Sequence, residues 1–349
     1  MRAAVLYDNK VIKTEEVKEK QVEQDEVRVK VMSAGICGSD THKMQDVWKY
    51  PLPAVMGHEF SGVISEIGKN VTDHNIGDRV AIAPLIPCRK CQFCQKGEFS
   101  LCEDYTMIGS HRYGGFAENV VVPSANAISI GELSFEEGAM IEPLAVAMHA
   151  IRGIEPEIGD TVIVFGIGTI GLLVVQALQV AGVKNVIAVD ISSKKLEEAK
   201  SYGVRYTINS LEEDLEEKVS EYTNGLGADI ALECAGSKIT QEQCLRVTSK
   251  HGKIGYIGIA YQDVTLPEKS FENIFRRELT IKGFWNSYSA PFPGKEWSDG
   301  IEFVKQGRIK LKPMVSHRYS LDQTKEAFDM MLGRKEDFNK VIIQPNGEE

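Results

Sequence analysis

The feature that most constrains the fold is a strand, a glycine turn and a helix in immediate succession. The apolar run 161–165 is typical of a buried strand, and the glycine-rich segment 166–171 follows it directly. A further apolar stretch to about Ala181 predicts a helix, and residues 185–190 predict a second strand. Later strand and helix patterns continue to alternate, so we expect an α/β region with a doubly wound parallel sheet.

The glycine segment has the chemistry of a dinucleotide-binding turn. Its G-x-G-x-x-G pattern allows a tight turn, close approach of the backbone to a pyrophosphate and packing of the helix on the strand. The N-terminus of the following helix offers free backbone N–H groups to that anion. The residues that we expect to contact the cofactor here are Gly166, Gly168, Thr169, Ile170 and Gly171.

An acidic residue ends the second strand and indicates which dinucleotide binds. Asp190 lies about 20 residues after the last glycine, where a carboxylate accepts hydrogen bonds from ribose hydroxyls and repels a 2′-phosphate. The sequence therefore predicts NAD rather than NADP, although Lys194 and Lys195 oppose that preference. Ligands of open α/β sheets lie at the carboxyl ends of strands, so further contacts are expected from Lys195, Cys234, Gly258 and Ile259.

Four of the seven cysteines lie close together in one segment. Their C-x2-C-x2-C-x7-C spacing supplies the four thiolates of a closed, tetrahedral structural zinc site. The alternatives are four free buried cysteines and a zinc ribbon that binds nucleic acid, for which the segment has few basic residues. We expect a structural zinc bound by Cys88, Cys91, Cys94 and Cys102.

A second, catalytic metal would need three protein ligands and a fourth position open to substrate. Cys37 stands apart from the cysteine cluster, and His58 and Glu59 follow a turn that contains two prolines. Taken singly, these residues do not establish a metal site. A lone buried cysteine is usually part of the core packing, and a lone histidine usually forms a structural hydrogen bond. Glu142 precedes the dinucleotide-binding region, so its carboxylate could reach a cleft between two domains.

Length and patterning indicate two domains. A chain of 349 residues exceeds one ordinary core, and its hydrophobic and charged fractions of 43% and 26% are those of a globular protein. Short apolar runs broken by glycine and proline between 27 and 122 predict an antiparallel, β-rich domain. The last strand-like run, 340–343, should return to it. We therefore expect a discontinuous domain of residues 1–150 and 290–349, and a dinucleotide-binding domain of residues 151–289.

Composition excludes several classes of partner. A net charge of -10 opposes the neutralisation of phosphates on which nucleic-acid binding depends. No apolar run reaches the roughly 18 residues of a membrane span, and the N-terminus lacks the pattern of a secretory signal. We expect a cytoplasmic protein that binds a small molecule, with no nucleic-acid or membrane partner.

The ordered set of motifs resembles the zinc-containing medium-chain dehydrogenases, the superfamily of alcohol, sorbitol and threonine dehydrogenases. The resemblance covers essentially the whole chain and is carried by segment 37–42, segment 57–59 with Gly62 and Gly68, the four cysteines, Glu142-Pro143, and the glycine turn with Asp190. It implies a β-rich GroES-like catalytic domain and a Rossmann domain. It also implies a homodimer or homotetramer joined through the cofactor domains.

By position, the resemblance implies that Cys37, His58 and a carboxylate hold the catalytic zinc. Members of the superfamily differ over which carboxylate binds zinc, so Glu59 and Glu142 both remain candidates. One would bind zinc directly, and the other would exchange with water or support the ligands without contacting the metal. Ser39 matches the hydroxyl position beside the reacting oxygen, and His42 matches the outer end of a proton path.

Three segments resemble galactitol-1-phosphate 5-dehydrogenases more specifically: 84–88, 108–118 and 288–297. The activity that this implies is NAD-dependent oxidation of galactitol 1-phosphate to tagatose 6-phosphate. Arabitol-phosphate and sorbitol-type dehydrogenases are the alternatives, and a non-enzymatic NAD sensor or scaffold is the alternative of another class. A phosphorylated substrate needs basic groups, for which we expect Arg112 first, and then His111, Lys43, Lys49 and Lys295.

Overall fold

The structure, a computed structural model, describes residues 1–45, 50–333 and 336–347. The chain divides into two units, unit 1 with Met1–Pro143 and Tyr288–Glu349, and unit 2 with Leu144–Ser287. The sequence-based boundary at 150 falls later than this division, because the pattern changes only after the helix that spans it, Ile141–Ile154. Lys49, one of the candidate cations, lies outside the described residues.

Strands dominate unit 1 and alternate with helices in unit 2. In chain order the strands are β1 Arg2–Asp8, β2 Val11–Glu16, β3 Glu26–Ile36, β4 Ala54–Val55, β5 Glu59–Ile67, β6 Arg79–Ile82, β7 Leu85–Ile86, β8 Thr106–Met107, β9 Asn119–Pro123, β10 Ala127–Ser129, β11 Thr161–Phe165, β12 Asn185–Asp190, β13 Tyr206–Asn209, β14 Ala228–Glu233, β15 Thr248–Tyr256, β16 Thr280–Gly283, β17 Val315–Ser320 and β18 Lys340–Gln344.

The helices are mostly short. They are α1 Gly38–Gln45, α2 Gln92–Gln95, α3 Phe135–Ala139, α4 Ile141–Ile154, α5 Thr169–Ala181, α6 Ser193–Ser201, α7 Leu215–Thr223, α8 Lys238–Val247, α9 Glu268–Arg276, α10 Lys295–Lys305 and α11 Thr324–Gly333. Single 3-10 turns occupy Phe99–Leu101, Ser124–Asn126, Lys312–Met314 and Leu321–Gln323. Within the described residues, every helix is too short or too polar to span a bilayer.

The main sheet of unit 1 contains strands from both of its segments, Met1–Pro143 and Tyr288–Glu349. Its strand order is β10-β6-β5-β3-β18-β17, with β9 also paired to β3, and all pairs are antiparallel except β17 with β18. Strand β3 is long because alternate apolar residues such as Val27, Val29 and Val31 are fully buried. Strand β18 pairs with the end of β3, where Val341 lies opposite Ile36. The last strand thus belongs to the sheet that carries Cys37.

The six-stranded sheet of unit 2 is parallel, in the order β13-β12-β11-β14-β15-β16. This is the strand order of a doubly wound dinucleotide-binding fold. Strands β11 and β12 have the bounds that the sequence predicts. Helix α5 begins after Gly168 and ends at Gly182, whose left-handed backbone closes the helix.

The sequence interpretation does not include every element of unit 2. Strand β13, which has four residues, and helices α8 and α9 are not predicted. Helix α7 starts at Leu215, later than the predicted Leu211, because the Asp214 side chain accepts a 2.8 Å hydrogen bond from the backbone N–H of Glu217.

Candidate functional site

Three predicted ligands of the catalytic metal lie together in unit 1. One ligand atom each from Cys37, His58 and Glu59 falls within 4.8 Å of the others. Cys37 follows the end of β3, and His58 and Glu59 lie at the start of β5, which pairs with β3. A thiol, an imidazole and a carboxylate are the donor types of a catalytic zinc site, so the residues present fit the ion.

Two glycines allow these ligands to approach one another. Gly57 has a left-handed backbone (φ +92°), and a side chain there would lie 2.8 Å from the Phe116 ring. Gly35 pairs with Glu59 in the sheet, and a Cβ at Gly35 would overlap the Glu59 carboxylate. Larger residues at either position would push the turn before His58, or Glu59 itself, out of place.

Asp40 is a functional residue that the sequence interpretation left without a role. It is fully buried on α1, its Oδ1 lies 3.5 Å from Nδ1 of His58, and its Oδ2 accepts a 3.2 Å hydrogen bond from the backbone N–H of Cys37. Burial alone would raise the pKa of Asp40, but the charges of Lys43 and His58 more than offset it and lower that pKa. A carboxylate in this position orients a metal-binding imidazole.

His58 shares this charged environment. Burial opposes a charge on the ring, but the Asp40 carboxylate and the Cys37 thiol raise the pKa of His58 well above its usual value. Its Nδ1 is buried and has no hydrogen-bond partner among the described residues.

Glu59 forms a buried ion pair with Lys340, the first residue of β18. Both side chains are 2% exposed, and the Lys340 ammonium also donates a 3.3 Å hydrogen bond to the carbonyl of Ile36. Burial would lower the pKa of Lys340, but Glu59 and Cys37 raise it. Removing one partner of such a buried pair typically costs about 3–5 kcal/mol of stability.

Glu142, the other candidate carboxylate, is buried near the same groups but is not one of the three clustered ligands. The pKa of Glu142 is raised to about 7, mainly by burial; the charge of His58 opposes this rise and the charge of Glu59 adds to it. The choice between Glu59 and Glu142 as direct ligand stays a prediction, and the geometry favours Glu59.

Ser39 and His42 lie on α1, three residues apart and therefore on the same face of the helix. Both side chains are partly exposed, whereas Asp40 between them is buried. This arrangement is compatible with a proton path from the metal group toward solvent, which stays a prediction.

The four clustered cysteines form the second candidate metal centre. Cys88, Cys91, Cys94 and Cys102 each offer a sulfur within 4.8 Å of the others, and all are free thiols. The Cys88 and Cys94 sulfurs are 3.9 Å apart, far beyond a disulfide bond. Backbone N–H groups of Cys88, Cys91 and Cys94 point at cysteine sulfurs over 3.2–3.5 Å. These donors favour thiolates, and the set fits a closed zinc site.

The glycine turn of unit 2 has the geometry that dinucleotide binding requires. Gly166 follows β11 with φ +84°, and a Cβ there would lie 2.6 Å from Ala235. A Cβ at Gly171 would overlap the carbonyl of Gly166, so this glycine lets α5 pack on the turn. Gly168, Thr169 and Ile170 form the start of α5. Open space lies beyond the Cα of Gly168, so a phosphate could approach the backbone there.

The other predicted cofactor contacts lie at the carboxyl ends of neighbouring strands. Cys234 follows β14, which pairs with β11, the strand that ends at the glycine turn. Gly258 and Ile259 follow β15, the next strand of the sheet. Glu233 organises this edge: its fully buried carboxylate accepts 2.9 Å hydrogen bonds from the backbone N–H groups of Ala235 and Gly236.

Asp190 ends β12 as predicted, and its carboxylate is already engaged with the turn. One oxygen accepts a 2.7 Å hydrogen bond from the backbone N–H of Ile167, and the other accepts a 2.9 Å bond from that of Ser192. Lys195 lies in the first turn of α6 and is partly buried. The side chain of Asp190 keeps partial exposure at the sheet edge, which a ribose contact requires.

The expectation that Arg112 binds substrate phosphate stays a prediction, and its guanidinium already has an acidic partner. Its guanidinium donates a 2.6 Å hydrogen bond to Glu26 in a partly buried ion pair. Lys43 lies beside the metal group, 3.0 Å from Asp40.

Comparisons with known families and proteins agree with this geometry. Residues 23–132 match the family described as "Alcohol dehydrogenase GroES-like domain", and residues 169–306 match "Zinc-binding dehydrogenase". The chain is 39% identical to galactitol 1-phosphate 5-dehydrogenase of Escherichia coli K12 over 92% of this chain and 93% of that protein. It is 33% identical to sorbitol dehydrogenase of Bacillus subtilis over 99% and 98%.

Solved structures give the same picture. The crystal structure of galactitol-1-phosphate dehydrogenase from Escherichia coli superposes with a TM-score of 0.94 at 37% identity, over 99% of this chain and 100% of that one. An alcohol dehydrogenase from Escherichia coli CFT073, solved with NADH, superposes with a TM-score of 0.90 at 30% identity, over 99% of both chains. A zinc-binding dehydrogenase from Sinorhizobium meliloti 1021, solved with NADP, superposes with the same TM-score and coverage at 31% identity. The predicted GroES-like and Rossmann-type architecture is confirmed.

Proposed function

Because the chain belongs to the zinc-containing medium-chain dehydrogenases, oxidoreductases that act on CH–OH groups with zinc and a nicotinamide dinucleotide, we propose that it oxidises galactitol 1-phosphate to tagatose 6-phosphate with NAD. The observation that carries the proposal is the grouping of Cys37, His58 and Glu59 within 4.8 Å. The 39% identity to galactitol 1-phosphate 5-dehydrogenase of Escherichia coli supports this choice of substrate.

The residues of unit 1 would bind the metal and move a proton. Cys37, His58 and Glu59 would hold zinc, with Asp40 fixing the orientation of His58. Bound there, zinc supplies a Lewis acid that lowers the pKa of the substrate hydroxyl. The Ser39 hydroxyl would accept the proton that the substrate loses and pass it toward His42 and solvent.

The residues of unit 2 would bind the cofactor. The glycine turn and the start of α5 would hold the pyrophosphate, and Asp190 would contact the adenosine ribose. A carboxylate at this position supports NAD over NADP, because a 2′-phosphate would meet a like charge. Bound there, NAD would supply the hydride acceptor for the reaction.

A panel of substrates tests the proposal. With zinc-loaded enzyme and NAD, galactitol 1-phosphate should have the highest kcat/KM, and galactitol should be about 10- to 100-fold poorer, because a hydrogen bond to a charged group contributes about 1.5–3 kcal/mol. Formation of NADH is the measurement, with arabitol phosphates, sorbitol, xylitol and threonine in parallel, and NADP as the cofactor control. A preference for sorbitol would support the activity of the Bacillus subtilis relative instead.

We also propose that unit 2 forms a homodimer contact through β16, alone or within a homotetramer. Strand β16 is the edge of the six-stranded sheet, and all four of its residues are exposed. Phe275 and Trp285, which flank it in the chain, are 67% and 48% exposed. An exposed edge strand with apolar neighbours is a template for pairing with a second copy.

Replacing Ile281 on β16 with lysine should reduce the size of the assembly, because a charge at the strand edge opposes strand pairing. Light scattering during size-exclusion chromatography should show a mass of two or four chains for the native protein and half that mass for Ile281→Lys. Ile239→Lys, at a 60% exposed position on α8, is the matched control and should leave the mass unchanged. A native protein that runs as a single chain would rule out the contact.

A further inference from the structure

Lys340 is a buried cation among the groups that we propose to hold zinc. Its ammonium contacts the carboxylate of Glu59 and the carbonyl of Ile36, and its side chain is 2% exposed. Cys37 and Glu142 also lie within the range of its charge. Gly35 leaves room for the pair, because a Cβ there would overlap the Glu59 carboxylate and lie 3.4 Å from Cδ of Lys340.

The stability of the fold does not account for this pair. Removing two charges from water offsets most of their attraction, so buried ion pairs can often be replaced by apolar residues without loss of stability. Lysine is also among the residues that are least often fully buried. The pair lies where β3, β5 and β18 meet, at the ends that carry the metal ligands, so a role in the metal site explains its position better.

The charges of the site indicate what that role is. Cys37 and Glu59 together contribute two negative charges, which already balance the two positive charges of a zinc ion, so any charge on the nearby buried Glu142 is surplus. A catalytic site needs an open fourth position, and a second carboxylate oxygen on the metal, from Glu59 or from Glu142, would close it. A surplus of negative charge around the ion would also weaken its action as a Lewis acid.

We propose that Lys340 is a positioning residue that offsets the surplus negative charge of the zinc site and engages one oxygen of Glu59, so that only the other oxygen can bind the metal and the fourth position stays open to substrate. This inference rests on the proposed function, because it requires a zinc ion at Cys37, His58 and Glu59. Lys340 would act through its contact with Glu59 and would touch neither the metal nor the substrate.

The rate of zinc release from the holoenzyme tests this role. In Lys340→Met the site gains one net negative charge, which attracts the cation, so a chromogenic chelator should remove zinc from it at least about tenfold more slowly than from the native enzyme. Release from the four-cysteine site of the same molecule should not change. Lys312→Met, which removes the same charge from an exposed position of unit 1, should release zinc at native rates.

The direction of the change separates the two possible roles of Lys340. If Lys340 merely filled space, its replacement would loosen the site and speed the release of zinc. Unchanged or faster release in Lys340→Met would therefore overturn the inference. With cobalt in place of zinc, the visible spectrum should also shift in Lys340→Met, as a protein oxygen takes the open position; an unshifted spectrum would contradict the proposal.

Two further variants keep the test decisive. Lys340→Gln retains a donor for the carbonyl of Ile36 but not the charge, so it should show the same slow release if Lys340→Met does not fold. Cys37→Ser tests the site itself: if that variant kept two zinc ions per chain, the proposed function would fail. If it lost one zinc while both Lys340 variants released zinc at native rates, only the role of Lys340 would be wrong.

Discussion

Replacing Cys37 with serine is expected to lower kcat/KM by at least about a thousandfold while leaving the affinity for NAD unchanged. A serine hydroxyl stays protonated near neutral pH and binds zinc poorly in place of a thiolate. Zinc provides several kcal/mol of transition-state stabilisation, and each 1.36 kcal/mol is a factor of ten in rate. The glycine turn belongs to unit 2, whereas Cys37 belongs to unit 1, so cofactor binding should be independent of this change.

Metal content and NAD titration check this expectation together. Zinc should fall from about two ions per chain to about one, with the remaining ion in the four-cysteine site. Cys244→Ala is the matched control, because this cysteine lies in the core of unit 2 and belongs to neither metal group. Native rates of turnover in zinc-loaded Cys37→Ser would refute the ligand assignment.

Features that depend on short stretches of chain could be predicted from the sequence. The bounds of β11 and β12 follow from two short apolar runs, and the helix between them begins where the glycine pattern ends. The spacing of the four clustered cysteines by itself predicts a zinc site. In each case the residues that determine the structure are near neighbours in the chain, so their pattern is visible without knowledge of the fold.

Features that depend on distant partners could not be predicted. Lys340 is 281 residues from Glu59, and only the pairing of β18 with β3 brings the two together. The charge of Arg112 and its position in a resembling segment predict a phosphate contact, but its guanidinium pairs with Glu26, which lies 86 residues earlier in the chain. A charged side chain in a sequence carries no information about which opposite charge the fold supplies.

Some local features could not be predicted either, because their sequence signals are weak. Asp40 stands in the motif with Cys37, yet nothing in the sequence states that it faces His58 rather than solvent. Strand β13 is short and half buried, so its alternation is too brief to stand out from a loop. The start of α7 depends on the Asp214 cap, one hydrogen bond that shifts the boundary by a turn.

Replacing two glycines of the same turn with alanine should affect the stability of the protein differently. In Gly171→Ala the new Cβ would overlap the carbonyl of Gly166, so the turn or the helix must move. Overpacking of this kind typically costs about 1–3 kcal/mol, and we expect unit 2 to melt several degrees lower with NAD binding lost. In Gly168→Ala the Cβ points into open space, so stability should stay native.

The open space at Gly168 is nevertheless where a pyrophosphate would approach the backbone, so Gly168→Ala should weaken NAD at least about tenfold, a loss of about 1.4 kcal/mol. Thermal unfolding and NAD titration of both variants separate a glycine required by the fold from one required by the ligand. Gly182→Ala, at the left-handed end of α5, is a control that should lose stability but keep its affinity for NAD while folded. If Gly168→Ala bound NAD as tightly as the native protein, the cofactor would not lie over this turn, and the proposed assignment of the cofactor contacts at the turn would have to be abandoned.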